Sequence, residues 1–126
     1  MAEATANHRL VVGRRGERLA EEHLLAMGAE LLERNLRRDY TEIDLLFRHE
    51  GELVAVEVKT RDVEDLEQPE EAVRWSQLRR ITRGLATYAM DHDLLEMPHR
   101  VDVVLIVIAA DGSVLRLDHL RSVYPG

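Results

Sequence analysis

Residues 52–60, ELVAVEVKT, decide the fold of this chain more than any other stretch. Side chains alternate between the two faces of a β-strand. One face of this segment is a row of β-branched residues, Val54, Val56, Val58 and Thr60. The opposite face begins apolar and ends charged, in the order Leu53, Ala55, Glu57 and Lys59. The segment predicts a strand with apolar residues on both faces and with an acid and a lysine together at one end.

The segment before it, 41–48 (TEIDLLFR), predicts an antiparallel partner strand, because His49-Glu50-Gly51 forms a turn signal between the two. The apolar face of this partner would consist of Ile43, Leu45 and Phe47. Asp44 lies on the other face, so it can project to the same side as Glu57 and Lys59. If the hairpin loop is even in length, two carboxylates and an ammonium group converge there.

The rest of the chain predicts a mixed five-stranded sheet flanked by helices, in the order α-β-β-β-α-β-β-α, which places the chain in the α/β class. The predicted helices are residues 9–27, 69–90 and a short terminal helix 118–123. The other predicted strands are residues 30–36, 101–109 and 114–117. We expect one domain over residues 1–126, with a flexible N-terminus at 1–8 and a mobile acidic loop at 62–68.

Composition excludes several classes of protein. The chain has no cysteine, which rules out disulfides, thiol catalysis and thiolate zinc sites. Its longest apolar run, 103–110, is too short to span a bilayer, and its first residues do not form a secretory signal. The sequence also lacks the glycine-rich motifs that bind nucleotide phosphates. We therefore expect a cytoplasmic protein with no membrane partner and no nucleotide cofactor.

The net charge of -7 is unevenly distributed. Residues 62–71 hold six of the acids and no base, so the remainder is nearly neutral and carries local arginine clusters. These clusters are compatible with a phosphate-facing surface or with solvated helix faces joined by ion pairs. Of the 17 basic residues, 16 are arginine and the single lysine is Lys59. A lysine is a compact charge whose pKa can be moved, unlike that of arginine.

Two adjacent carboxylates resist joint ionisation, and a hard divalent cation relieves their repulsion. A lysine beside them can orient a water or neutralise charge on a phosphate. Glu17 points along the core-facing stripe of the first helix, where a glutamate is costly unless it is paired or liganded. The alternatives are a surface ladder for Glu57 and Lys59, and an edge position for Glu17 with an arginine partner.

Five segments in order resemble the YraN-like family of small bacterial proteins, which are predicted endonucleases similar to archaeal Holliday junction resolvases. The segments are 13–17 (GRRGE), 42–46 (EIDLL), 54–61 (VAVEVKTR), 69–73 (PEEAV) and 100–104 (RVDVV). The resemblance covers roughly residues 8–123 and implies a restriction-endonuclease-like, three-layer fold. It also implies cleavage of DNA, branched or single-stranded, with Mg²⁺ or Mn²⁺ as cofactor and a homodimer as the acting form.

By this resemblance, Asp44, Glu57 and the backbone carbonyl of Val58 would hold the metal. Lys59 would position the attacking water, and Glu17 would support the metal through water. Residues expected to contact nucleic acid are Arg14, Arg15, Thr60, Arg61, Arg79 and Arg83. The chain departs from the family pattern at Thr41, where glycine is usual, and at Gln77, where a basic residue is usual.

Two other hypotheses remain open from the sequence. One is a nucleic-acid-binding or assembly module that keeps the nuclease fold with little or no catalysis, and the other is a plain interaction domain. The six histidines show no metal-binding spacing, which favours surface or hydrogen-bonded roles for them. Asp102 is either a further carboxylate near the site or the ion-pair partner of Arg100, and we favour the ion pair.

Overall fold

A computed structural model describes residues 2–38, 40–62 and 75–123 of the chain. It contains helices α1 (Ala2–Ala26) and α2 (Trp75–Asp91). Its strands are β1 (Glu30–Arg38), β2 (Thr41–His49), β3 (Glu52–Asp62), β4 (His99–Ile108) and β5 (Val114–Leu120). The predicted α/β fold with a mixed five-stranded sheet between helices is confirmed.

The sheet runs in the order β1-β2-β3-β4-β5. Strands β1, β2 and β3 form an antiparallel meander, β4 lies parallel to β3, and β5 returns antiparallel to β4. The parallel step requires a crossover, which contains α2. The β2–β3 turn consists of Glu50 and Gly51, both with positive φ (51° and 76°), as a tight two-residue hairpin requires.

Each face of the sheet is covered by one helix, so the molecule has three layers and two cores. Ala20 and Leu24 of α1 pack on the face that carries Val54 and Val56. Leu78, Ile81, Leu85 and Tyr88 of α2 pack on the face that carries Leu53 and Ala55. The alternation predicted for 52–60 therefore holds, and burial of both faces is what fixes the position of β3 at the centre of the sheet.

The predicted apolar face of β2 is only partly correct. Leu45 and Phe47 pack on the α1 side, but Ile43 packs with Leu46 on the α2 side. The strict alternation breaks at Asp44, because the pairing of β2 with β3 begins at Leu45 and does not extend to it. This break matters for the site described below.

The terminal helix predicted at 118–123 is wrong. Strand β5 continues to Leu120, where it still pairs with Val103 of β4, and residues 121–123 are not helical. Hydrogen bonding along the sheet edge outweighs the capping signal of Asp118. Helix α1 begins at Ala2, and the expectation of flexibility at 1–8 remains a prediction. Residues 63–68 of the expected acidic loop and the expected helix start at Pro69 lie outside the described residues.

Candidate active site

The candidate site lies where β2 separates from β3, and we call it the notch, formed by Asp44, Glu57 and Val58. Pairing of the two strands ends at Leu45 opposite Val56, so Asp44 and Glu57 are the next residues on facing strands. The backbone N–H of Val58 donates a hydrogen bond to Asp44 Oδ2 at 2.8 Å. A side-chain oxygen thus takes the place of the missing ladder partner and fixes the Asp44 carboxylate against β3.

Glu57 is buried, with 7% of its surface exposed, and two side chains contact its carboxylate. Lys59 Nζ lies 3.3 Å from Glu57 Oε1, as expected for two residues on one face of a strand. Gln77 Nε2, on α2, donates a hydrogen bond to the same oxygen at 3.0 Å. Asp44, Glu57 and Lys59 therefore lie together. The fourth group is Gln77 of α2, which the sequence analysis identified only as a departure from the family pattern.

The notch contains two carboxylates, and the positive charge of Lys59 does not fully offset them. Burial, and next the charge of Asp44, raise the pKa of Glu57 to about 7. Burial is also the main cause that raises the pKa of Asp44, while the Val58 N–H and Lys59 act in the opposite direction. Carboxyl groups shifted in this way by burial and by a specific neighbour are typical of functional sites.

Glu17 approaches the notch from α1. Its pKa is raised first by burial and then by the charges of Asp44 and Glu42, and it is lowered by Arg14. The helix can come this close because Gly16 sits against β3: a Cβ at that position would lie 1.9 Å from Thr60 Oγ1. Within the described residues, however, no three acidic or histidine side chains converge tightly enough to hold a metal together. Support by Glu17 through water remains a prediction.

The groups in the notch fit a hard divalent cation. Mg²⁺ is commonly held by one or two carboxylates, with water and substrate oxygens completing its coordination. The N–H and C=O of one strand residue point to the same side of the strand. Because the Val58 N–H points to Asp44, the Val58 carbonyl faces the same notch. Asp44, Glu57 and this carbonyl would then be the protein's oxygen ligands.

Comparison with known proteins identifies relatives over most of the chain. Residues 16–106 match the model of the family described as uncharacterised protein family UPF0102. This chain belongs to UPF0102. A UPF0102 protein from Porphyromonas gingivalis is 36% identical over 113 residues, covering 90% of this chain and 83% of that protein. One from Beutenbergia cavernae is 40% identical over 112 residues, covering 89% and 94%.

A UPF0102 protein from a Nocardioides species is 38% identical over 120 residues, covering 95% of this chain and 96% of the relative. UPF0102 comprises the YraN-like proteins, so the resemblance seen in the sequence is confirmed. The family is uncharacterised, and membership in it establishes no activity. Neither described helix of this UPF0102 chain has the length and hydropathy that crossing a membrane requires.

The residues predicted to contact nucleic acid have unequal environments in this UPF0102 chain. Arg14, Arg79 and Arg83 are exposed. The exposed Arg15 donates from Nε (3.0 Å) and Nη2 (2.6 Å) to the Gly112 carbonyl, so it also ties α1 to the β4–β5 turn. Arg61 Nη1 bonds the Thr60 carbonyl at 2.9 Å. Contact of these residues with nucleic acid remains a prediction.

A second polar cluster lies on the α1 face of the sheet, and we call it the Asp102 network. The predicted ion pair is present: Arg100 bonds both oxygens of the fully buried Asp102, at 2.9 and 3.0 Å. His119 Nε2 lies 2.7 Å from Asp102 Oδ2, and the backbone N–H of Ser122 donates to Oδ1 at 3.0 Å.

The network continues from His119 to α1, where His23 Nε2 lies 3.2 Å from His119 Nδ1. Burial, and then the neighbouring His119, lower the pKa of His23. The sequence did not reveal this pair, because 96 positions separate its members and no local spacing connects them.

Proposed function

We propose that this UPF0102 chain is a Mg²⁺- or Mn²⁺-dependent endonuclease that hydrolyses phosphodiester bonds of branched or single-stranded DNA. The observation that carries the proposal is the meeting of Asp44, Glu57 and Lys59 at the notch. A buried and a half-buried carboxylate that share too little positive charge favour a cation, and a lysine beside them suits a phosphate substrate. The choice of DNA rests on the resemblance to junction-cleaving nucleases and on the exposed arginines of the two helices.

Each residue has a defined task in this proposal. Asp44, Glu57 and the Val58 carbonyl hold the cation, which when bound polarises the phosphate and lowers the pKa of a coordinated water. The Lys59 ammonium orients the attacking water and offsets negative charge that builds up on the phosphate. Gln77 holds the Glu57 carboxylate through its hydrogen bond of 3.0 Å. Glu17 orders water on the α1 side of the notch.

A non-catalytic nucleic-acid-binding module is the second candidate. One observation favours it: in the part of the chain that the structure describes, no third acidic or histidine group joins the two carboxylates. Lys59 and Gln77 both bond Glu57 Oε1, so that oxygen already has two partners. In this alternative the arginines of α1 and α2 bind the nucleic acid and the notch does no chemistry.

Metal binding and cleavage distinguish the two candidates. Calorimetric titration of Mg²⁺ and Mn²⁺ would be compared for wild type, Asp44→Ala and the control Asp118→Ala, which removes a half-buried acid on β5. Labelled junction, flap, single-stranded and duplex DNA would then be incubated with each protein and with Lys59→Ala. We expect cleavage that requires the metal, is lost in Asp44→Ala and Lys59→Ala, and persists in Asp118→Ala.

DNA binding without cleavage under any of these conditions would instead establish the binding module. Light scattering of the free protein and of its DNA complex would test the proposed homodimer. Two nuclease sites on opposite strands of one junction require two copies of the chain in the complex.

A further inference from the structure

The pair His23–His119 joins helix α1 to the edge strand β5. Their nitrogens, His23 Nε2 and His119 Nδ1, are 3.2 Å apart, and the two rings meet edge-on at 81°. In the described part of the chain β5 pairs with β4 alone, so this contact is a direct side-chain link between α1 and the edge of the sheet.

The Asp102 network determines which nitrogen of His119 is free. Asp102 is fully buried and both its oxygens accept hydrogen bonds from Arg100, so Oδ2 is the acceptor of a further hydrogen bond, which His119 Nε2–H donates at 2.7 Å. A neutral imidazole carries one proton, and with that proton on Nε2 the lone pair is on Nδ1. The Nδ1 lone pair of His119 therefore faces His23. In many metal sites, the ring nitrogen of a histidine that does not bind the metal donates its N–H to a carboxylate, as His119 does here.

We propose that His23 Nε2 and His119 Nδ1 chelate a divalent transition-metal ion of the Zn²⁺, Ni²⁺ or Cu²⁺ class. Two imidazole nitrogens bound to one tetrahedral ion, each at about 2.1 Å, lie about 3.4 Å apart, close to the separation seen here. His23 frees its Nε2 lone pair when its proton moves to Nδ1, which changes no net charge. Water completes the coordination, because among the described residues no third acid or histidine is placed to bind the same ion.

This site differs in chemistry from the notch. Imidazole nitrogens select borderline metals such as Zn²⁺, Ni²⁺ and Cu²⁺, whereas carboxylate and carbonyl oxygens select Mg²⁺ and Mn²⁺. The bound ion would clamp β5 to α1 and so stabilise the folded chain in proportion to its occupancy. The proposal does not depend on the proposed nuclease activity.

Tag-free protein would be titrated with Ni²⁺ and Zn²⁺ by calorimetry, and the Cu²⁺ complex would be studied by electron paramagnetic resonance. The variant is His23→Ala, which removes one ligand from a partly exposed position and leaves Asp102 and His119 in place. The control is His92→Ala, an exposed histidine whose ring stacks on Tyr88 at 3.9 Å. Asp44→Asn removes a ligand of the notch and tests whether the transition metal binds there instead.

We expect one ion per chain, a Cu²⁺ spectrum that shows two nitrogen ligands, and a dissociation constant at least tenfold weaker in His23→Ala. The dissociation constant should be unchanged in His92→Ala and Asp44→Asn, and Ni²⁺ should raise the melting temperature of wild type but not of His23→Ala. Equal affinity in wild type and His23→Ala, loss of binding in Asp44→Asn, or no binding at millimolar metal would each overturn the proposal.

Discussion

Glu57 and Asp102 are buried acids on neighbouring strands, and their partners differ. Asp102 is surrounded by matching donors: two from Arg100, one from His119 and one from the Ser122 backbone. Glu57 has Lys59 and Gln77, but it shares the notch with a second carboxylate, and its pKa is raised to about 7. Asp102 is the more buried of the two acids, so the difference between them lies in their partners: donors surround Asp102, whereas a second carboxylate lies beside Glu57.

The largest expected effect comes from breaking the balanced cluster. Arg100→Ala leaves the fully buried Asp102 without its cation, and removing one partner of a buried ion pair costs about 3–5 kcal/mol. Urea denaturation at pH 7 would measure the loss. Arg116→Ala, which opens the exposed pair with Asp118, is the control and should cost less than about 1 kcal/mol. A loss below about 1 kcal/mol in Arg100→Ala would show that His119 and Ser122 satisfy Asp102 unaided.

At the notch, removing a charged group is expected to stabilise the folded protein, in contrast to Arg100→Ala. The pKa of Glu57 is about 7 in the folded chain against 4.5 for the unperturbed group. Between these values the folded state binds more protons than the unfolded state, so stability falls as pH rises from about 4.5 to about 7.

Glu57→Gln should therefore stabilise the metal-free protein by about 2–3 kcal/mol at pH 8 and have no effect near pH 4. Denaturant titrations across this pH range would measure the difference. Glu21→Gln is the control, because its bond to Arg34 lowers the pKa of Glu21 and the substitution should destabilise slightly. A destabilised Glu57→Gln at pH 8 would mean that Lys59 fully compensates Glu57.

Two glycines of α1 test the contact that brings Glu17 towards the notch. Gly16→Ala places a Cβ 1.9 Å from Thr60 Oγ1 and 2.9 Å from Thr60 Cβ, so rotation of the threonine cannot relieve the clash. We expect a loss of about 1–3 kcal/mol by thermal denaturation. A Cβ at Gly13 would meet nothing within 4 Å beyond its chain neighbours and the backbone of its own helix, and Gly13→Ala should gain up to about 1 kcal/mol. Similar effects of the two substitutions would contradict the close packing at Gly16.

The smallest effect concerns one hydrogen bond at the notch. Gln77→Leu removes the amide that donates to Glu57 Oε1, so the ionised form loses a donor and the pKa of Glu57 should rise further. A ¹³C carboxyl titration by NMR would follow Glu57 directly. Thr82→Val, on the same helix, removes a hydroxyl that bonds the Leu78 carbonyl and should leave this titration unchanged. An unchanged titration in Gln77→Leu would show that Gln77 does not influence the charge of Glu57.

The sequence predicted the parts of the fold that depend on local rules. Alternation along 52–60 and an even-length loop after β2, which the structure has as Glu50-Gly51, bring Asp44 beside Glu57. One residue more or less would move a strand's side chains to the other face. The ion pair of Arg100 with Asp102 was predictable for the same reason, because residues two apart on a strand share a face.

Contacts between distant elements could not be predicted in this way. Gln77 reaches Glu57 across the packing of α2 on the sheet, and His23 meets His119 only after α1 and β5 are in place. The terminal helix was predicted from the capping residue Asp118, whereas pairing of His119 with Val104 keeps that segment in the sheet. In this segment, hydrogen bonding between strands outweighs the helix-capping preference of Asp118.

The strand order has a consequence for how the chain assembles. Strands β1, β2 and β3 are joined by short turns and close only short loops, whereas the β3–β4 pairing must wait for the long crossover. We therefore expect the two carboxylates of the notch to meet early in folding, on a local hairpin. We expect the Asp102 network to form later, because it requires α1, β4 and β5 to be in place. The strand order thus predicts that the chain brings two like charges together before the Arg100–Asp102 pair can offset the cost.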